Sequence, residues 1–121
     1  MSQIINIKAA NLRQLGYNSL EDWLKNPNHI YIGRKNNYVK GAEHSKWHNP
    51  FRLQIQKNAS KYVQNKARED CINKYEEYLT NNEELMGQLS ELDGKILGCW
   101  CKPLGCHGDV LVKYVGFLGK K

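Results

Sequence analysis

Three short apolar runs of strand character, separated by stretches of helical periodicity, constrain this chain more than any other feature. Ile4, Ile5 and Ile7 form the first run, His29-Ile30-Tyr31-Ile32-Gly33-Arg34 the second, and Lys95-Ile96-Leu97-Gly98-Cys99-Trp100-Cys101 the third. β-branched and aromatic side chains suit a pleated surface, so each run is expected to be a strand. Between the first two lies Ser19-Leu20-Glu21-Asp22-Trp23-Leu24, with Ser19 as N-cap, acids in the first turn, and apolar residues at i, i+3 and i+4. Asn26-Pro27-Asn28 stops that helix, and apart from it the stretch from Ala9 to Asn28 is read as a long first loop.

From Asn58 to about Leu79, the residues Ala59, Val63, Ala67, Cys71, Tyr75 and Tyr78 recur every three or four positions, which predicts a long helix with Cys71 as a buried core thiol. A short helical stretch from Glu83 to Leu92 and the turn Asp93-Gly94 lead into the third strand. Leu111, Tyr114, Val115 and Leu118 fit a final helical face, with a strand as the alternative. The polar residues 35–57 form a long loop. The order β-α-β-loop-α-α-β-α requires crossover connections. The expected fold is therefore α/β: a small, largely parallel sheet covered by helices, in a single domain over residues 1–121.

A chain of 121 residues can bury a core without disulfide staples. It has no apolar run near the roughly 18 to 20 residues that span a bilayer, and its first residues lack the layout of a signal peptide. A soluble, intracellular, cytoplasmic protein with no membrane partner is expected. There the four cysteines would be free thiols or metal ligands. The charge of +6 is uneven: residues 34–68 hold nine Lys and Arg against the single acid Glu43. Such a block suits a polyanion, although a solvated basic surface has the same composition.

Chemistry concentrates in Cys99-Trp100-Cys101-Lys102-Pro103-Leu104-Gly105-Cys106-His107-Gly108-Asp109. Strand alternation sends Cys99 and Cys101 to one side and Trp100 to the other. Pro103 and Gly105 break the strand, and Cys106, His107 and Asp109 fall where the last helix begins, a position that favours thiolate. Three readings follow. Cys99, Cys101, Cys106 and His107 supply four zinc ligands, though without the paired C-x2-C spacing of structural zinc sites. Cys106 or His107 could act as nucleophile or base, with Asp109 orienting the imidazole. Or the thiols are small buried hydrophobes and Asp109 caps the helix.

Tyr31-Ile32-Gly33-Arg34, Trp47-x-Asn49-Pro50-Phe51 and Gly94-Lys95-x-Leu97-Gly98-Cys99-Trp100-Cys101-x-Pro103-x-x-Cys106-His107-Gly108-Asp109 come in an order that resembles the domain-of-unknown-function family 4326, found in bacteria, phages and large DNA viruses. That resemblance carries no activity. It implies that Arg34, Trp47, Asn49, Pro50, Phe51, Cys99, Trp100, Cys101, Pro103, Cys106, His107 and Asp109 belong to one site, and a viral origin, with the host cytoplasm as compartment, would suit it.

Lys46, Trp47, Asn49 and Phe51 are candidate ligand contacts, the rings stacking a base while Asn49 reads it; alternatively the rings anchor the loop and Asn49-Pro50 shapes a turn. Arg34 is a candidate phosphate or carboxylate clamp, or the partner of Asp109 or Glu43 in an ion pair. The leading expectation is a domain that binds nucleic acid or a nucleotide phosphate, with Arg34, Cys106, His107 and Asp109 lining a strand-to-helix pocket and no cofactor. The alternatives are a small structural or interaction module, homodimeric or zinc-stabilised, and a thiol- or His-dependent enzyme.

Overall fold

Alternation along the strands places successive side chains in two separate cores. A computed structural model describes residues 2–53, 55–102 and 104–118. Its strands β1 (Gln3–Asn6), β2 (His29–Tyr31) and β3 (Ile96–Cys99) form a parallel sheet in the order β1-β3-β2. The register pairs Ile4 and Ile30 with Leu97, and Ile5 and Tyr31 with Gly98. Ile4, Leu97 and Ile30 therefore face one side, and Ile5, Gly98 and Tyr31 the other.

On the first side, Leu97 and Cys99 pack with Tyr75 and Leu79 of α3 (Lys61–Thr80), Leu85 of α4 (Glu83–Gly87), Leu89 and Leu92 of a following 3-10 turn, and Val110, Leu111 and Val115 of α5 (His107–Leu118). On the second, Ile7 and Tyr31 pack with Leu12 of α1 (Ala9–Gln14) and with Leu20 and Trp23 of α2 (Leu20–Trp23). The sheet is thus sandwiched between helical layers. Each fully buried Leu or Ile stabilises the assembly by roughly 1.5–3 kcal/mol.

Gly98 sits at the centre of the sheet because nothing larger fits. A Cβ there would lie 2.7 Å from Ile7 Cγ2 and 2.9 Å from Trp23 Cη2. Trp23 also stacks on the buried ring of His29, whose Nδ1 lies 2.7 Å from the Trp23 carbonyl oxygen.

The expected fold class is the observed one, but element bounds depart from expectation: β2 ends at Tyr31, short of Gly33 and Arg34, and the stretch from Glu83 to Leu92 divides into α4 and the 3-10 turn. Residues Ala9–Gln14, read as loop, form α1, which buries only Leu12 and has no side-chain cap. β3 ends at Cys99, so Trp100 and Cys101 follow the strand rather than belong to it, yet they still go to opposite cores, Trp100 beside Ile7 and Trp23, Cys101 beside Leu97 and Cys99. Cys71 is half-buried rather than a core thiol: the buried residues of α3 are Tyr75 and Leu79, Val63 is exposed, and Cys71 lies at the edge of a cavity.

Candidate functional site

β2 and β3 are parallel neighbours, so their carboxyl ends open on the same side. The loop after Gly33, one face of α3 and the start of α5 enclose a cavity of about 620 Å³ there. Ligands of open α/β sheets bind at this edge, outside the carboxyl ends of the strands. Arg34, Lys35, Arg52 and Arg68 line the cavity, and no described carboxylate does. All four cysteines reach its wall.

Arg34 leaves β2 and turns back on the loop. Its Nε and Nη2 donate to the Asn49 carbonyl at 2.9 and 2.6 Å. Neither Asp109 nor Glu43 is its partner, so the ion pair proposed for it gives way to a clamp on loop backbone. Asn49 Oδ1 accepts from the Phe51 N–H at 2.9 Å, the local turn expected of Asn-Pro, and its amide lies 3.5 Å from Cys71 Sγ. Phe51 stands edge-on to Tyr78 at the cavity wall.

Two candidate ligand contacts lie elsewhere. Trp47 is 2% exposed in the core, with its carbonyl accepting from Tyr75 Oη at 2.8 Å. Its ring anchors the loop and presents no face for a base. Lys46 Nζ is 2.7 Å from Glu91 Oε1 and 2.6 Å from Gln88 Oε1, away from the cavity. Other lysines of the basic block are also matched, Lys40 with Glu21 at 3.4 Å and Lys66 with Asp70 at 3.7 Å.

The start of α5 is held by a reciprocal cap. Cys106 Sγ accepts from the Gly108 N–H at 3.2 Å, while Asp109 Oδ2 accepts from the Cys106 N–H at 3.0 Å. This is a capping box with sulfur in place of hydroxyl. Asp109 Oδ1 also accepts from Lys102 Nζ at 2.6 Å, so Asp109 caps the helix and neither orients His107 nor lines the cavity. A Cβ at Gly108 would lie 2.8 Å from Ile32 Cδ1 and 2.9 Å from Ile4 Cδ1. Glycine there lets the helix end rest directly on the sheet.

His107 Nε2 donates to the Ile32 carbonyl at 2.8 Å, and its ring meets Tyr75 edge-on. Burial pushes its pKa below the usual imidazole value, with the Ile32 carbonyl opposing. The ring is therefore a neutral Nε2–H donor at neutral pH, committed to backbone.

Cys99 and Cys106 are in contact, Sγ to Sγ 3.3 Å. Cys106 donates its S–H to Cys99, which also accepts from the backbone N–H groups of Cys101 and Lys102; these bonds hold the Cys99 thiol down to about 6 and push that of Cys106 up. The two thiols titrate together as a pair. Among the described residues no group of three or more His, Cys, Asp and Glu side chains is arranged to hold a metal ion. The four expected zinc ligands are not brought together as such a group: Cys99 and Cys106 are in contact with each other, and His107, its Nε2–H bonded to Ile32, keeps Nδ1 as its acceptor nitrogen. Pro103, expected in the same site, lies outside the described residues.

Lys35, Arg52, Arg68 and Cys71 were not singled out by the motifs, yet all reach the cavity. Arg68 had a readable signal: with Cys71 and Ile72 it occupies i, i+3 and i+4 on one face of α3. Its Nη1 lies 3.4 Å from the Gly105 carbonyl. Arg52 carried no such pattern.

The model of the family described as "Domain of unknown function (DUF4326)" matches residues 17–116. The chain is also 31% identical over 100 residues to "Uncharacterized protein R718" of Acanthamoeba polyphaga mimivirus, an alignment covering 75% of this chain and 69% of that one. No solved structure matches it. The chain belongs to the DUF4326 family. No helix among the described residues is long and apolar enough to cross a membrane.

Proposed function

We propose that this member of the DUF4326 family binds a small phosphate-bearing ligand of the nucleotide class in the cavity at the carboxyl ends of β2 and β3. The observation that carries this reading is the charge of the wall: Arg34, Lys35, Arg52 and Arg68 converge on one concavity with no described carboxylate among its lining residues. An anion entering it meets several donors, and guanidinium forks suit phosphate oxygens.

The volume falls within the range of small-molecule sites. Tyr38, 98% exposed, and Phe51 stand on the wall as planar apolar surfaces, which favours a ligand with a flat base over bare phosphate. A long nucleic acid is less well supported, because Lys40, Lys46 and Lys66 face their own acids.

Calorimetric titration of the full chain with nucleoside monophosphates, nucleoside diphosphates, inorganic phosphate and a single-stranded oligonucleotide tests the reading. A nucleotide should bind at one site. Arg68→Ala should weaken it about tenfold or more, since a hydrogen bond to a charged group contributes about 1.5–3 kcal/mol, whereas Lys57→Ala should leave it unchanged. Arg68 is the better probe than Arg34, whose loss would also release the loop at Asn49. Absence of nucleotide binding at millimolar concentration would refute the reading. So would oligonucleotide binding with a steep salt dependence that Lys57→Ala and Lys61→Ala weaken as much as Arg68→Ala.

A further inference from the structure

We propose that Cys99 and Cys106 form a two-electron dithiol–disulfide site on the cavity wall, oxidised by a hydroperoxide and restored by a small dithiol. The inference is independent of which ligand the cavity holds. It rests on contact between two free thiols, Sγ to Sγ 3.3 Å, both buried at 2% and 3% exposure but lining the cavity, through which a small oxidant reaches them. A disulfide needs the sulfurs to close by only ~1.3 Å, to about 2.05 Å. Folding has already brought them together, so little further loop-closure entropy opposes the bond. Cys99 is fixed by the β3 register, and Cys106 by the cap at the start of α5.

Packing alone does not ask for sulfur at both places. Serine is a better N-cap than cysteine at position 106, and the volume at Cys99 could be filled by an aliphatic side chain. Cys101 and Cys71 also reach the cavity, but the sulfur in contact with Cys106 is that of Cys99.

The step balances with hydrogen peroxide as oxidant. The Cys99 sulfur, having given up its proton, attacks one peroxide oxygen. The O–O bond breaks, Cys99 becomes a sulfenic acid, and the departing hydroxide takes up the proton and leaves as water. Cys106 sulfur then attacks the Cys99 sulfur; the S–S bond forms, the S–O bond breaks, and a second water leaves with the Cys106 proton. Two thiols lose two electrons and two protons, and one peroxide becomes two waters. Thiol–disulfide exchange with a dithiol reverses the oxidation.

The test is mild hydrogen peroxide treatment of the full chain, followed by alkylation, mass measurement and peptide mapping. Two of the four thiols should disappear without added oxygen and return with dithiothreitol. After chymotryptic cleavage behind Trp100 and Leu104, the peptide ending in Cys99-Trp100 and the peptide beginning at Gly105 with Cys106 should stay joined until reduction, while the peptide Cys101–Leu104 carries an alkylated thiol. Cys101→Ser and Cys71→Ser should respond as the parent chain does, and Cys99→Ser should not. Because the peptide map uses the unsubstituted chain, it stands even if Cys99→Ser fails to fold. The proposal is overturned by a bond through Cys101, by accumulation of sulfinic acid instead of the bond, by thiols that survive peroxide sufficient to oxidise free cysteine, or by stoichiometric zinc held on these thiols before treatment.

Discussion

Replacing Tyr75 by Phe isolates the bond that holds the cavity loop to its scaffold. Tyr75 is 0% exposed and its Oη donates to the Trp47 carbonyl at 2.8 Å, joining α3 to the loop 28 residues earlier. Burial pushes the phenol pKa well up, so the hydroxyl is a neutral donor at any workable pH. The change keeps the ring and its edge contact with His107, and removes only the donor. Leaving a buried acceptor unpaired costs about 1–3 kcal/mol, reduced by no longer burying the hydroxyl, so a net loss of about 1–2 kcal/mol is expected. For a domain of this size that corresponds to a fall of roughly 4–8 °C in Tm. Urea unfolding should show a lower midpoint with unchanged slope, which marks a loss of stability rather than a change in the unfolded state. Amide exchange should rise first in the loop around Trp47 and Asn49. A variant as stable as the parent, with the loop still protected, would refute the claim that this bond anchors the wall.

Two further outcomes follow from the same geometry. Gly98→Ala should destabilise by about 1–3 kcal/mol through overpacking against Ile7 and Trp23, read as a lower urea midpoint; an unchanged midpoint would mean the sheet centre is looser than described. His107, with its pKa depressed in the folded chain, binds a proton more readily when unfolded, so its contribution to stability should be full above about pH 6.5 and fall as pH drops below it. The lowered Cys99 thiol acts above about pH 6, so thermal scans between pH 6 and 5 read His107 most directly, and His107→Gln should flatten that slope. A slope that persists in His107→Gln would place its origin elsewhere.

Much of the fold could be read because local chemistry and tertiary packing agree. Ser19 accepts from the Asp22 N–H as its position before Leu20 implied, and the parallel sheet follows from the crossover helices. α1 escaped notice because Lys8 offers no cap and the helix buries a single residue. The cavity was half legible. Arg34 and Cys106 stood out by their places at a strand end and a helix start, whereas Lys46, Trp47 and Asp109 went to other partners because ion pairing, core burial and capping compete for the same side chains. Cys71 looked like core because a helical stripe of apolar residues does not reveal where the stripe passes from packed core to cavity wall.

The account turns on an anion entering between the carboxyl ends of β2 and β3. Backbone amide NMR of the full chain, titrated with a nucleoside diphosphate, tests this directly. The largest shifts should fall at Gly33, Arg34, Cys106, His107 and Gly108, with smaller ones along the Arg68 face of α3. Shifts scattered over Lys57, Lys61 and Lys66, or no shifts at millimolar ligand, would contradict it.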